Sequence, residues 1–287
     1  MVKYSLIIPV FNSQKTIVRC LRSIIAQKFK NYEIVIVDDG SIDNTLKLIR
    51  KFRNCGCMIK IIKQKHKGVS AARNNGILSC CGEYIIFVDS DDYISKNLLI
   101  TLNKYDDDVI RYDVNCTNGN DRFKQPYFLK ISGEEALTKF CSSNNIFATP
   151  WSYAIRRDIY LKNNLFFLEG KQHEDFGLIP LLILEAKIVS SIRYTGYNYI
   201  KRKGSITLTE TYDKEINRMY DFIDQFNYLR NYIMSKDISS DKIEEYINYF
   251  KKRTMIKFNN FQKKISNINC YERIYDKCIE KLKLKDF

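Results

Sequence analysis

Three aspartates stand within four residues in Asp89-Ser90-Asp91-Asp92, directly after the apolar run Ile85-Ile86-Phe87-Val88. Carboxylates this close are costly to ionise together unless a cation sits among them. Hard divalent cations take oxygen ligands, and Mg²⁺ or Mn²⁺ is commonly held by one or two carboxylates while substrate phosphates complete the shell. A solvated turn with helix-capping aspartates is the alternative reading of this segment taken by itself. A second acidic pair, Asp38-Asp39, closes another apolar run, Glu33-Ile34-Val35-Ile36-Val37.

These groups must be carried by elements that bring them together. Tyr4 to Val10 reads as a buried strand, and Thr16 to Gln27 then places Ile17, Leu21, Ile24 and Ile25 on one helical face. A second strand over Glu33–Val37 precedes a helix carrying Leu46, Ile49 and Phe52, for which Ser41 is the expected N-cap. A third strand (Met58 to Ile62), a helix around Ser70 to Leu78 and a fourth strand (Tyr84 to Val88) follow. Apolar strands alternating with helices indicate an α/β fold with a parallel sheet covered on both faces. Ligands of such sheets bind beyond the carboxyl ends of the strands, where Phe11-Asn12, Asp38-Asp39 and the acidic cluster all fall.

Further along, Ser132-Gly133-Glu134-Glu135 is a capping box, and Glu174 to Leu184 reads as a helix with Phe176, Ile179, Leu182 and Ile183 inward and Pro180 inside it. Beyond 210 the pattern is helical. One apolar stripe runs through Met219, Phe222, Ile223, Phe226 and Leu229, and a second through Ile243, Ile247, Phe250, Phe258, Phe261 and Ile265 among lysines. The expected organisation is 1–104, 105–209 and a helical region over 210–287.

Forty-seven basic against 33 acidic side chains give the 287-residue chain a formal charge of +14, which calls for an anionic partner. The excess is uneven: +11 over residues 1–75, −4 over 76–245 and +7 over 246–287. An acidic middle between basic ends suits a metal clamped between carboxylates and a phosphate better than a protein that coats nucleic acid, so no nucleic acid is expected. An ordinary globular composition excludes collagen-like, disordered and disulfide-scaffold classes. Nine cysteines without a CxxC, beside only two histidines, fit a reducing compartment, and a cytoplasmic location is expected. No apolar run approaches the roughly 20 residues of a membrane-spanning helix, and Met1 to Phe11 reads as a strand rather than a secretory signal.

Four motifs in order, Ile8-Pro9-Val10-Phe11-Asn12, Val35-Ile36-Val37-Asp38-Asp39-Gly40-Ser41, Gly68-Val69-Ser70-Ala71-Ala72-Arg73-Asn74-Asn75-Gly76 and Phe87-Val88-Asp89-Ser90-Asp91-Asp92, resemble family 2 glycosyltransferases with the GT-A fold. Trp151 through Asp175, with His173-Glu174-Asp175-Phe176, resembles the acceptor half of bacterial capsule and lipopolysaccharide transferases of that family. The segment Tyr199 through Thr207 does too. The resemblance implies a GT-A domain, Rossmann-like with a mostly parallel sheet flanked by helices, followed by a helical C-terminal extension.

It also implies an inverting, Mn²⁺- or Mg²⁺-dependent transfer from a nucleotide sugar, most simply a UDP-sugar, to a hydroxyl of a glycan or lipid-linked acceptor. Asp39 would accept a hydrogen bond from the uracil ring, and Phe11 would stack on the base, an interaction worth about 1–3 kcal/mol in nucleic-acid systems. Pro9, Val10 and Asn12 would complete that pocket, and Arg73 would contact the nucleotide. Asp91 and Asp92 would hold the metal and, with Asp89, orient the ribose and diphosphate. Asp175 matches the base that deprotonates the acceptor hydroxyl, with Glu174 as support. His173 is read as a second partner or a surface residue. Trp151 is read as a sugar platform or a core aromatic, and Arg202 with Ser205 and Thr207 as a polar loop over phosphate or acceptor. His66 receives no role. The basic C-terminal helices could lie on an anionic inner-leaflet surface, or pack their stripes against the rest of the chain while their lysines are solvated.

Two rivals make other demands. A nucleotidyltransferase of similar layout would carry a glycine-rich phosphate loop after the first strand, where this chain has Phe11-Asn12-Ser13-Gln14. A non-enzymatic protein binding nucleic acid or anionic membrane through charge alone would not need Asp91.

Overall fold

The computed structural model describes residues 2–54, 56–116, 126–143, 148–201, 211–265 and 271–282, with no statement on the side chains of Ile265 and Tyr271. Its first six elements follow the alternation of the sequence: β1 (Tyr4–Val10), α1 (Ile17–Ile25), β2 (Tyr32–Asp38), α2 (Thr45–Arg50), β3 (Met58–Lys63) and α3 (Val69–Ser79). They are followed by β4 (Tyr84–Phe87), β5 (Tyr93–Ile94), α4 (Leu98–Leu102), β6 (Val109–Cys116), β7 (Phe128–Ile131) and α5 (Gly133–Ser142). Then come β8 (Tyr153–Arg156), α6 (Arg157–Lys162), α7 (Glu174–Leu184) and β9 (Val189–Tyr199). Three longer helices close the chain, α8 (Tyr212–Met234), α9 (Ser240–Ile265) and α10 (Tyr271–Leu282).

Among the described residues the strands form one sheet in the order β3-β2-β1-β4-β8-β6-β9-β5, with β7 paired to β9. The first four strands are parallel, and every residue of β1, β2 and β4 is buried, as a sheet layered by helices on both faces requires. Burying one Leu, Ile or Phe side chain contributes roughly 1.5–3 kcal/mol, so these three strands are a large part of what holds the sheet. β3 lies at the end of the sheet, alternates in exposure and carries Lys60 and Lys63, features that discourage edge pairing. Beyond β4 the sheet is mixed. β8 is antiparallel to both β4 and β6, while β6 and β9 run parallel.

One local expectation is corrected. α2 begins at Thr45 with Asn44 in the N-cap position, not at Ser41. The Asp43 carboxylate accepts from the Thr45 N–H at 2.9 Å and from the Gln14 N–H at 3.1 Å, so the turn before the helix is organised by Asp43. Ser41 Oγ instead accepts from the Asn12 N–H at 3.0 Å. The capping box is as expected: Ser132 Oγ accepts from the Glu135 N–H at 3.1 Å.

The chain divides into two compact units, Met1–Gly170 with Leu182–Lys201, and Lys171–Leu181 with Arg202–Phe287. The first contains the whole sheet. In the second, Met219, Phe222, Ile223, Phe226, Leu229, Ile247, Phe250, Phe258 and Phe261 are all buried. Phe176 of α7 stacks on Phe222 at 4.4 Å between centroids. A Cβ at Gly177 would stand 2.2 Å from Gln225 Oε1 of α8, which would have to shift, and 3.2 Å from the Gln225 carbonyl oxygen. These stripe residues therefore pack within the second unit. No described helix is long and apolar enough to cross a membrane.

Candidate active site

The carboxyl ends of β1, β2 and β4 bring the first, second and fourth sequence motifs to one edge of the first unit. Asp39 follows β2 and is held by its own N–H, which donates to the Val10 carbonyl at 2.8 Å. Pro9 and Val10 thus lie within the buried strand, and Val10 contributes this backbone anchor. The Asp39 carboxylate is already heavily engaged. Oδ1 accepts from Gln64 Nε2 and the Lys67 N–H, both at 2.8 Å, and Oδ2 accepts from the Gly68 N–H at 2.9 Å. His66 Nδ1 stands 2.8 Å from Oδ2 and 3.1 Å from the Asp39 carbonyl. Both neighbours are acceptors, so Nδ1 carries the proton.

The Phe11 side chain is 44% exposed, and its ring stacks on His66 at 4.2 Å between centroids and 27° between planes. Two aromatic rings left open beside a buried carboxylate make a platform for a planar ligand. Asn12 adopts a left-handed conformation (φ 47°), and its Oδ1 accepts from the Ile42 N–H at 3.0 Å. Asn12 therefore ties the first loop to the second. Gly68, at φ 90°, lets the chain turn from the Asp39 contacts into α3, a conformation that side chains with a Cβ rarely adopt.

The acidic cluster sits beside this loop, joined to it by Ser13 Oγ and Ser90 Oγ at 2.7 Å. Asp89, Asp91 and Asp92 each present a carboxylate oxygen, and these oxygens lie within 4.8 Å of one another. An all-oxygen donor set of this size fits a hard divalent cation. Burial, reinforced by the charges of Asp89 and Asp91, pushes the Asp92 carboxyl up to about 8. A cation among the three would oppose that shift.

Arg73 is 4% exposed. Its Nη2 donates to Asp89 Oδ1 at 3.0 Å, and its guanidinium lies over Phe87 and Phe167 at 5.8 and 5.4 Å. Of the two readings of Trp151, its surroundings are those of a core aromatic: it is buried and stacked on Tyr197 at 4.6 Å and on Tyr199 at 5.7 Å. Arg202, Ser205 and Thr207 lie outside the described residues.

In the second unit, Glu174 and Asp175 occupy the first turn of α7, where the helix dipole favours acids. Asp175 Oδ1 accepts from the Phe176 N–H at 2.9 Å. His173, at φ 57°, is half-buried. Its ring meets Phe222 edge-on at 5.1 Å, and burial with the charges of Lys257 and Arg218 lowers its pKa to about 3, so it is neutral at physiological pH. The Lys257 ammonium lies over the Phe222 ring at 5.0 Å. Burial pulls its pKa down, while Asp175 and Glu215 act in the opposite direction.

Residues 5–163, more than half of the chain, match the family model described as Glycosyl transferase family 2. Glycosyltransferase GlyA of Streptococcus pneumoniae serotype 4 is 32% identical over 221 residues, covering 71% of this chain and 31% of that protein. A cholesterol galactosyltransferase of Borreliella burgdorferi is 31% identical over 224 residues, covering 71% of this chain and 62% of that protein. The chain thus spans less than two thirds of either relative. Among solved structures, residues 1–349 of TarS from Staphylococcus aureus, in complex with UDP-GlcNAc, superpose with a TM-score of 0.83 at 23% identity, over 98% of this chain and 81% of that one. The fold is therefore GT-A, a mixed sheet flanked by helices with a helical C-terminal region. The chain belongs to glycosyl transferase family 2.

Sequence reasoning did not identify His66 or Tyr197. His66 follows β3 without a periodic pattern around it, and the one available signal was that a buried loop carboxylate such as Asp39 needs several donors nearby.

Proposed function

We propose that this protein transfers a sugar from a UDP-sugar to a hydroxyl of a glycan or lipid-linked glycan, with inversion and with Mn²⁺ or Mg²⁺. The observation that carries the reading is the adjacency of two features on one sheet edge. The open Phe11 and His66 rings beside Asp39 suit a base, and the Asp89, Asp91 and Asp92 oxygens suit a cation holding a diphosphate. The UDP-GlcNAc complex of the structurally similar TarS chain supports the choice of donor.

In this reading Phe11 stacks on the base while Asp39 fixes the loop that surrounds it. Asp91 and Asp92 would hold the cation, and Asp89, braced by Arg73, would orient the ribose and diphosphate. A bound cation supplies charge neutralisation for the departing nucleoside diphosphate. Asp175 accepts the proton of the acceptor hydroxyl, and Glu174 supports it. Attack opposite the leaving group inverts the anomeric carbon. With Met219, Phe222, Phe226, Phe250, Phe258 and Phe261 of α8 and α9 buried, contact with an anionic membrane would draw chiefly on lysines such as Lys251, Lys252 and Lys263.

The test is release of UDP from UDP-sugars in the presence of Mn²⁺, assayed with and without EDTA. Metal-dependent release from at least one UDP-sugar is expected. Release that EDTA does not change would overturn the metal assignment.

A further inference from the structure

Tyr197 is fully buried on β9, far in sequence from the acidic cluster, yet its hydroxyl is bonded to two parts of that cluster. It lies 3.1 Å from the Asp89 N–H and 2.8 Å from Asp92 Oδ2. An N–H can only donate, so the phenol oxygen accepts from Asp89 and its own proton goes to Asp92. The other Asp92 oxygen, Oδ1, accepts from the Ile200 N–H at 2.8 Å, one residue beyond β9. Each oxygen of the carboxylate thus has one donor from β9 or its end, and the carboxylate plane is fixed. The phenol ring is fixed in turn by its stack on Trp151, 12° from parallel.

We propose that Tyr197 is a positioning residue for the divalent-cation site, aiming the Asp92 carboxylate at the point it shares with Asp89 and Asp91. The inference rests on the metal reading given above. Hydrogen-bond partners of metal ligands orient them, and their loss typically weakens metal affinity roughly 10- to 100-fold. The same hydroxyl also ties the backbone at Asp89 to β9, so it sets the relative placement of the first and last acids of the cluster.

Tyr112 provides an internal control. It is also a buried tyrosine that touches the Trp151 segment, with its hydroxyl donating to the Trp151 carbonyl at 2.9 Å, but its bond serves the core. The experiment titrates Mn²⁺ into wild type, Tyr197→Phe and Tyr112→Phe, following free Mn²⁺ by electron paramagnetic resonance, with and without UDP. The number of sites per chain, obtained from the same isotherm, separates a weakened site from an unfolded fraction. Tyr197→Phe is expected to bind roughly 10- to 100-fold more weakly with its site count unchanged, while Tyr112→Phe binds as wild type does. If wild type binds Mn²⁺ and Tyr197→Phe binds it equally well, the positioning role falls and the metal reading stands. Equal weakening in both variants would also overturn it, since the effect would then be general loosening of the core. If wild type binds no Mn²⁺, the metal reading itself fails and the inference with it.

Discussion

Nδ1 of His66 lies 2.8 Å from Oδ2 of Asp39, closing a ring of four donors around one loop carboxylate. Asp39 is therefore an organising residue for the segment Gln64 to Gly68 as well as a candidate contact to the base. Asp39→Asn would place an amide where the chain supplies donors, leaving at least one of them opposed. Leaving such a group unsatisfied costs about 1–3 kcal/mol, or roughly 2–4 °C of melting temperature per kcal/mol in a domain of this size. The variant is expected to melt measurably lower even without nucleotide. A thermal melt identical to wild type would show that the carboxylate serves ligand alone.

Arg73 and Asp89 form a partly buried ion pair, with Arg73 enclosed by Phe87 and Phe167. Breaking a fully buried pair costs about 3–5 kcal/mol, and the partial exposure of Asp89 reduces this to about 2–3 kcal/mol for Arg73→Leu. In the proposed reading Arg73 braces Asp89, so nucleotide affinity should fall together with stability. Denaturant unfolding and UDP titration on the same preparation check both. Weakened UDP binding at unchanged stability would indicate direct contact instead.

The elements that carry these pairs were legible to different degrees. β1, β2 and β4 were plain because strands buried on both faces are continuous apolar runs, and Ser132 to Glu135 announced α5 through its capping box. The start of α2 was misplaced because Ser41 and Asp43 are both competent turn residues, and only the third dimension shows that the Ser41 hydroxyl belongs to Asn12. β8 was invisible: four residues contribute little periodicity, and their antiparallel partners lie 70 positions earlier in β4. In the site, Asp89, Asp91 and Asp92 could be read from their spacing. Tyr197 could not, since it meets Asp92 across 105 residues of sequence. For Trp151 and His173 the sequence leaves two readings each, because a lone aromatic or imidazole gives no sign of what surrounds it.

His173 gives the protein a defined pH dependence. Its pKa falls from 6.5 to about 3 on folding, so between those values the unfolded chain binds a proton that the folded chain does not. Stability contributed by this group is intact above about pH 6.5 and is lost as pH falls, approaching ~1.4 kcal/mol per pH unit. His173→Asn tolerates the φ of 57° and removes the titration. The wild-type melting temperature should drop more steeply than that of His173→Asn from pH 7 to 5. Parallel curves would contradict the neutral assignment of His173.

Asp175→Asn separates chemistry from donor binding. Loss of a positioned general base typically costs 10²–10⁴-fold in rate, so sugar transfer should fall by about that factor while UDP affinity stays within about twofold. A parallel loss of both would remove Asp175 from the base role.

The central claim, that one sheet edge holds a nucleoside diphosphate through a cation on the acidic cluster, is tested most directly by UDP binding in wild type and Asp91→Asn, with Mn²⁺ and with EDTA. Wild type should gain stability with UDP plus Mn²⁺, by about 2.7 kcal/mol at a hundredfold excess over Kd, and should lose most of that gain in EDTA and in Asp91→Asn. UDP binding equally strong in EDTA and in the variant, or no stabilisation by UDP with metal present, would contradict the account.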